Sequence, residues 1–219
     1  MKYPERNACM SKRSKVLEAD YFAGFNTILF LIMCWTVYYD RLVEFRGKGN
    51  IHEFFLYACA ILTTIIVIWY FLRKLSFPTW LLVFVEIGIF LHFAGGFVQI
   101  DHGRLYDAHM LGIRFDKYVH LFNSMAGAAL TYHLLHKTGS TSPLLSILVI
   151  LTVLGAGAIV EIIEYLVSLT VTTNGVGSYD NNMQDLIANL VGTLVLEAMR
   201  RGYLLARSGR RVSGHVPAE

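Results

Sequence analysis

Acidic, imidazole and amide side chains recur at helical spacing within a strongly apolar part of the chain. Four positions share one face of a helix that begins near residue 115, at offsets of four, seven and eleven: Asp116, His120, Asn123 and Gly127. Carboxylate and imidazole groups can hold divalent metal ions or transfer protons. Buried in an apolar helix, they need partners on neighbouring helices, and the rest of the sequence supplies them.

Three other predicted helices carry matching polar faces. In chain order these faces are His92, Gly96 and Gln99; Gly157, Glu161, Glu164 and Ser168; and Asn181, Asp185, Asn189 and Gly192. An ionised carboxylate costs at least a few kcal/mol inside a bilayer, so acids at these positions must face the helix bundle and find partners there. We expect those partners to be His120, Asn123, Asn189 and Arg114.

The acids and the histidine form the candidate chemical centre. Candidate catalytic residues are Asp116, His120, Glu161, Glu164 and Asp185, and the last four of these are also candidate ligands of a divalent ion such as Mn²⁺, Zn²⁺ or Fe²⁺. Alternatively, one glutamate acts as a general base. Candidate substrate-binding residues are His92, Gln99, Asn123, Asp180, Asn181 and Asn189. The cofactor is otherwise unknown.

Composition indicates the environment of these groups. Of 219 residues, 55% are hydrophobic and 16% are charged, with a mean hydropathy of +0.49, whereas soluble domains carry roughly 25% charged residues. The apolar residues form blocks too long for buried helices of soluble proteins. The net charge of +3 is small and lies mainly at the two ends, so nucleic acid is not an expected partner. The expected partners are membrane lipids.

The apolar blocks predict an all-α polytopic membrane protein with about six transmembrane helices. Their approximate bounds are 21–39, 54–72, 79–100, 116–136, 144–170 and 183–206. The corresponding domains are a basic N-terminal segment at 1–19, a six-helix transmembrane domain at 20–206 and a basic tail, expected to be disordered, at 207–219. The oligomeric state stays open.

Charge in the predicted connections indicates the orientation. Thirteen of the 19 Lys and Arg residues fall at the two ends and in the connections on the same side, and six on the opposite side. This bias places both termini in the cytoplasm. Asp116 and Asp185 would then open their helices at the outer face, where an acid in the first turn also stabilises a helix N-terminus.

Three short motifs resemble a known group of membrane proteins. Asp116-Lys117-x-x-His120, Glu161-x-x-Glu164 and Asp185-x-x-x-Asn189-x-x-Gly192 resemble the VanZ-like proteins. The six-span layout and the run from Tyr179-Asp180-Asn181 to Gly192 are more similar to the YjdF-like inner-membrane family. The resemblance covers roughly residues 91–194 and implies an inner-membrane location. The VanZ-like group implies a link to the cell envelope and glycopeptide resistance, whereas the YjdF-like family has no assigned activity.

Three functions fit these patterns. The first is a membrane-embedded hydrolase or transferase acting on a lipid or lipid-linked headgroup at the outer face. The second is a small proton-coupled transporter that uses the same acids as a relay. The third is a structural or regulatory envelope protein, in which the polar faces only fasten helices together. The clustering of polar groups at one membrane face favours the enzyme.

Overall fold

The computed structural model describes residues 17–100, 103–135, 139–170 and 178–213, and these form an all-α fold. The first helical segment comprises α1 (Glu18–Met33), a π-helical turn (Cys34–Tyr38) and α2 (Tyr39–Arg46). The later helices are α3 (Ile51–Leu72), α4 (Thr79–Phe97), α5 (Phe115–Leu134), α6 (Pro143–Thr170) and α7 (Tyr179–Ser213). The predicted polytopic helical fold is confirmed.

Four segments of the described residues are long and apolar enough to cross a membrane. They are Glu18–Glu44, Phe54–Leu72, Thr79–Gly96 and Pro143–Leu166. Helices α5 and α7 fall short of that composition although both are long enough, because a helix of 20 residues spans about 30 Å. These two helices carry most of the polar residues that the sequence singles out.

The chain divides into two compact units, Met1–Phe77 and Pro78–Glu219. In the first unit α1 packs on α3, and a polar contact joins them near one end. The Asp20 carboxylate accepts a hydrogen bond from Trp69 Nε1 at 2.7 Å and lies 3.9 Å from Arg73 Nε. Residues 1–16 and 214–219 lie outside the described residues, and the predicted division into three domains stays a prediction.

Helix α5 is the centre of the second unit, where it packs on α7, α4 and α6. The contact with α7 is close because Gly192 has no side chain, and a Cβ there would overlap the Leu121 carbonyl. On the side facing α4, the rings of Phe84 and Phe122 meet edge to face at 4.8 Å. Small residues such as Gly192 allow helices in a membrane to approach each other closely.

The amphipathic character of α7 is inverted relative to a soluble helix. Its inward positions, four residues apart, are polar and buried: Asp185, Asn189, Thr193 and Glu197. Its outward positions are apolar, and Ile187 and Met199 are each 60% exposed. An apolar exterior around a polar interior is the pattern expected of a helix that faces lipid on one side and a polar bundle interior on the other.

The connection from α4 to α5 is folded. It contains the antiparallel strands β1 (Gln99–Ile100) and β2 (Gly103–Arg104), a 3₁₀ turn (Leu105–Asp107), and the antiparallel strands β3 (His109–Met110) and β4 (Ile113–Arg114). Residues 101 and 102 lie outside the described residues.

Two predicted helix boundaries are wrong, the end of α4 and the start of α7. Helix α4 ends at Phe97 rather than at residue 100, because Val98 turns to an extended conformation, so Gln99 lies in β1 and not on the helical face of His92. Helix α7 begins at Tyr179 rather than at residue 183. Ser178 caps it, accepting the backbone N–H of Asn181 at Oγ (3.4 Å), and the Asn-rich segment that resembles a loop is its first turn.

Two consequences follow from the longer α7. Asp185 lies in the second turn of the helix, so the prediction of a first-turn position is wrong for Asp185 and right for Asp116. At the other end the helix continues to Ser213, although residues from 207 onward were expected to be disordered.

Candidate functional site

Lys117 lies at the centre of the polar cluster, buried between α5 and α7. Its Nζ donates hydrogen bonds to Asp185 Oδ1 at 2.7 Å, to Asn181 Oδ1 at 2.8 Å and to Asp116 Oδ2 at 3.2 Å. Only 8% of the side chain is exposed. Lys117 is one of the charges assigned to the predicted connections; its position directly after Asp116, at the start of a helix with a polar face, is the sequence signal for its role.

Asp185 links this lysine to the remaining predicted ligands. Its Oδ2 accepts a hydrogen bond from Asn181 Nδ2 at 2.9 Å, and its Oδ1 lies 3.5 Å from His120 Nε2. One ligand atom each from His120, Glu161 and Asp185 lie within 4.8 Å of one another. An imidazole and two carboxylates at this spacing could hold a divalent cation.

Glu161 differs from every other buried carboxylate of this cluster. It is 6% exposed, and neither of its carboxylate oxygens receives a hydrogen bond from the described residues. The neighbouring Ile162 and Ile163 point outward and are 58% and 55% exposed. A buried carboxylate without a donor is costly unless it is protonated or paired with a cation.

Glu164 follows Glu161 by one turn of α6 and is half-buried. Its carboxylate interacts electrostatically with His120 and Asp185 but is not part of the close group of ligand atoms. The structure therefore brings together three of the four predicted metal ligands and leaves Glu164 adjacent. The side chain of Ser168, on the same predicted face, lies outside the described part of the chain.

A chain of ion pairs runs from the α4–α5 connection to the cluster. Arg104 Nε lies 3.0 Å from Asp107 Oδ2, and Arg114 Nη2 lies 2.9 Å from Asp107 Oδ1 and 3.0 Å from Asp116 Oδ2. Partial burial would raise the pKa of Asp107, but the hydrogen bond from Arg104 and the charges of both arginines hold it below its usual value of 3.8. The prediction that Arg114 pairs with the deeper acids is wrong, since its partners are Asp107 and Asp116.

The charges of this network do not balance if every acid is ionised and His120 is neutral. Three cations pair with three aspartates: Arg104, Arg114 and Lys117 with Asp107, Asp116 and Asp185. Glu161 and Glu164 are additional acids beside a histidine. The excess of two carboxylates is the charge that a divalent cation, or two protons, would neutralise.

The predicted substrate-binding residues fall in different places. Asn123 faces α4, where a Cβ at Gly88 would overlap its Oδ1. Asn189 lies deeper in the bundle, and its Oδ1 accepts a hydrogen bond from Ser124 Oγ at 2.7 Å. His92 contacts Tyr106 in the α4–α5 connection. Asn189 therefore joins α5 and α7, and among the described residues neither asparagine hydrogen-bonds to a carboxylate, so the prediction that they pair with the acids is wrong.

Asp180 and Asn181 border a cavity of about 360 Å³ between the β3–β4 hairpin and the start of α7. The cavity is lined by His109, Gly112, Ile113, Arg114, Ser178, Asp180, Asn181 and Gln184. Because Arg114 and Asn181 also belong to the ion-pair network, the cavity adjoins the cluster around Lys117. A polar headgroup in this cavity would lie next to the acids.

A second polar cluster, missed by the sequence analysis, lies toward the other end of α5 and α7. Glu197 Oε2 accepts hydrogen bonds from Tyr132 Oη at 2.6 Å and Arg200 Nε at 3.0 Å, and its Oε1 accepts one from Ser146 Oγ at 2.6 Å. Arg201 also donates to Glu197. The four-residue spacing of the polar positions on α7, extended beyond Asn189, would have revealed it.

The helical fold, the apolar exterior and the buried polar interior define a polytopic membrane protein. The chain matches the family described as "Predicted membrane protein (DUF2238)" over residues 22–205, most of its length, and it belongs to that family. No curated protein and no solved structure matches the chain.

Proposed function

We propose that this protein is a membrane-embedded, divalent-cation-dependent hydrolase or transferase that acts on the polar headgroup of a lipid or lipid-linked substrate. The observation that carries the proposal is the grouping of His120, Glu161 and Asp185 within 4.8 Å, one of them a buried carboxylate without a donor among the described residues. Bound there, a cation would polarise an oxygen of the substrate and stabilise the charge that develops on it.

The surrounding residues have distinct roles in this proposal. Lys117 and Asn181 hold Asp185 in place by hydrogen bonds, so that its carboxylate is oriented before the cation binds. Asp116 holds Lys117 and Arg114 in position through ion pairs. Glu164 lies beside the site and serves as the proton donor to the leaving group.

The cavity beside Arg114 supports a headgroup substrate. Asp180, Asn181 and Gln184 offer hydrogen-bond donors and acceptors along one wall, and Arg114 offers a cation. His92 and Asn123 extend the binding surface toward α4. Gln99, on β1 and exposed, would contact only a larger substrate.

The wider setting is also part of the proposal. The membership in a membrane protein family is compatible with the YjdF-like resemblance, and a role in the cell envelope rests on the resemblance of three motifs to VanZ-like proteins. The protein would then lie in the inner membrane, with both termini in the cytoplasm and the start of α7 at the outer face. A reporter fused after Gly177, which lies outside the described residues, should therefore report the extracytoplasmic side.

The first test is elemental analysis of the detergent-purified protein. Near-stoichiometric Mn, Zn or Fe in the wild type, lost in Glu161→Gln and His120→Ala, would support a cation site. Glu44→Gln is the matched control, since Glu44 is an exposed glutamate of α2 in the other unit. Equal metal content in all four proteins, or none after reconstitution with each ion, would overturn the proposal.

A proton-coupled transporter is the second candidate, and one observation favours it. Buried polar residues continue along α7 from Asp185 through Asn189 and Thr193 to Glu197, which gives a polar path between the two ends of the helix pair. Proton flux into liposomes that contain the protein, abolished by Asp185→Asn, would support this function. A metal-dependent enzyme should show no such flux.

A further inference from the structure

In the α4–α5 connection, the hydroxyl of one tyrosine contacts a histidine of α4 twice. Tyr106 Oη lies 2.8 Å from the backbone carbonyl oxygen of His92 and 2.6 Å from Nδ1 of the same residue. The rings meet nearly edge to face, with centroids 5.7 Å apart. His92 is one of the predicted substrate-binding residues, whereas Tyr106 is not.

These two distances determine where the hydrogen atoms lie. Two oxygen atoms 2.8 Å apart need a hydrogen between them, and a carbonyl carries none, so the phenol hydrogen of Tyr106 points to the carbonyl. The phenol oxygen must then accept a hydrogen from Nδ1 of His92. In the neutral imidazole, Nε2 is therefore the unprotonated nitrogen.

The position of Tyr106 is fixed by its surroundings. A Cβ at Gly95 would overlap the tyrosine ring, so the ring lies directly against the α4 backbone. The 3₁₀ turn that carries Tyr106 is tied to the helix end by the hydrogen bond from Leu105 N to Val98 O at 2.8 Å, and to both arginines of the connection through Asp107.

His92 also lies near the candidate site. It interacts electrostatically with His120, and Tyr106 does so with Glu164, Asp116 and Asp185. His92 is not among the candidate ligand atoms of His120, Glu161 and Asp185. An imidazole with an unprotonated Nε2 can take a proton from a reacting water or hydroxyl.

We propose that His92 is the proton acceptor of this site and that Tyr106 is the positioning residue that keeps its Nε2 unprotonated. The proposal rests on the proposed function. In the step, the O–H bond of the attacking water or substrate hydroxyl breaks, its proton moves to Nε2, and its electron pair stays on the oxygen that attacks.

The tautomer can be measured without a known substrate. We would record ¹⁵N spectra of the histidine-labelled protein in detergent micelles, with the His92 signals assigned by their loss in His92→Gln. We expect a protonated Nδ1 and an unprotonated Nε2 in the wild type, and a shift of Nε2 toward the protonated range in Tyr106→Phe. A protonated Nε2 in the wild type, or an unchanged spectrum in Tyr106→Phe, would overturn the proposal.

Two matched controls separate this effect from a general disturbance of the connection. Tyr118→Phe removes another tyrosine hydroxyl that contacts the connection, at Met110 O, and should leave His92 unchanged. Gly95→Ala should displace the Tyr106 ring and reproduce the Tyr106→Phe spectrum. Gly96→Ala, whose Cβ would make only an ordinary contact at 3.8 Å, should not.

Addition of Mn²⁺ distinguishes failure of this inference from failure of the proposed function. We expect Mn²⁺ to broaden the signals of His120 and His92, but not those of His133, which lies about 20 Å further along α5. Broadening of His120 without His92 would overturn the inference and leave the cation site standing. Absence of broadening at His120 would overturn the cation site, and with it the role of His92 as proton acceptor there.

Discussion

The α5–α7 pair holds a buried glutamate near each of its ends, and the two differ in their hydrogen bonds. Glu197 receives hydrogen bonds from Tyr132, Ser146 and two arginines. Glu161, which α6 brings to the opposite end, receives none from the described residues. Both are nearly inaccessible, at 9% and 6% exposure.

This difference separates a structural cluster from a site that can bind something. A buried carboxylate saturated with donors stabilises the helices that carry the donors, and it has no capacity left for a ligand. A buried carboxylate without donors weakens the fold unless a proton or cation joins it. The cluster near Glu197 therefore fastens α5, α6 and α7 together, whereas the cluster near Glu161 is the candidate for chemistry.

The largest expected effect is a loss of stability when the cluster near Glu197 is disrupted. Glu197→Ala leaves two arginines and two hydroxyl groups without their acceptor, and we expect the free energy of unfolding in mixed micelles to fall by about 3–5 kcal/mol. Glu44→Ala, at an exposed position, should change it little. A loss below about 1 kcal/mol for Glu197→Ala would remove the distinction between the two ends.

The next largest effect is a loss of stability where Gly192 of α7 packs against α5, between the two clusters. In Gly192→Ala the added Cβ would overlap the Leu121 carbonyl, so the helices must separate. We expect unfolding to become easier by about 1–3 kcal/mol, measured by thermal melting in detergent. Gly202→Ala, on the same helix with nothing within 4 Å, is the control and should be neutral or slightly stabilising.

A smaller effect is expected at the cluster near Glu161, and it is on metal binding rather than on stability. Glu161→Gln should weaken binding of Mn²⁺ by about tenfold or more, since a ligand matters at least as much as its supporting residues. The melting temperature without metal should not fall, because the buried charge is removed. Titration calorimetry and thermal melting give both quantities. If Glu161→Gln is destabilised and binds Mn²⁺ as tightly as the wild type, the cluster near Glu161 is structural and the assignment is wrong.

The smallest effect concerns Asp107, which anchors the α4–α5 connection. Its folded pKa is below the unfolded value, so its ion pairs stabilise the protein above about pH 4, and this contribution is lost as the pH falls through the folded pKa. Asp107→Asn should lower stability at pH 7 by about 0.2–1 kcal/mol, because its side chain is 44% exposed. Stability curves of the two proteins should converge in acid; curves that stay parallel would contradict this.

Helical periodicity was sufficient to find the acids and the histidine, but not their partners. Asp185, His120 and Glu161 were selected because polar residues on apolar helices must face inward, and the structure brings them together. Lys117 was missed because a lysine at a helix start resembles a solvated interfacial charge. The contact between Tyr106 and His92 joins residues on separate elements, and no periodicity connects them.

The sequence by itself determined the class of the protein and the identity of its polar groups. Long apolar segments and few charges require a helical membrane protein, because a bilayer leaves each backbone to satisfy its own hydrogen bonds. Tertiary structure alone decided which acids are neutralised. That depends on how closely the helices approach, which small residues such as Gly192 permit, and on which side chains then meet. Glu197 meets its donors in this arrangement, and Glu161 meets none among the described residues.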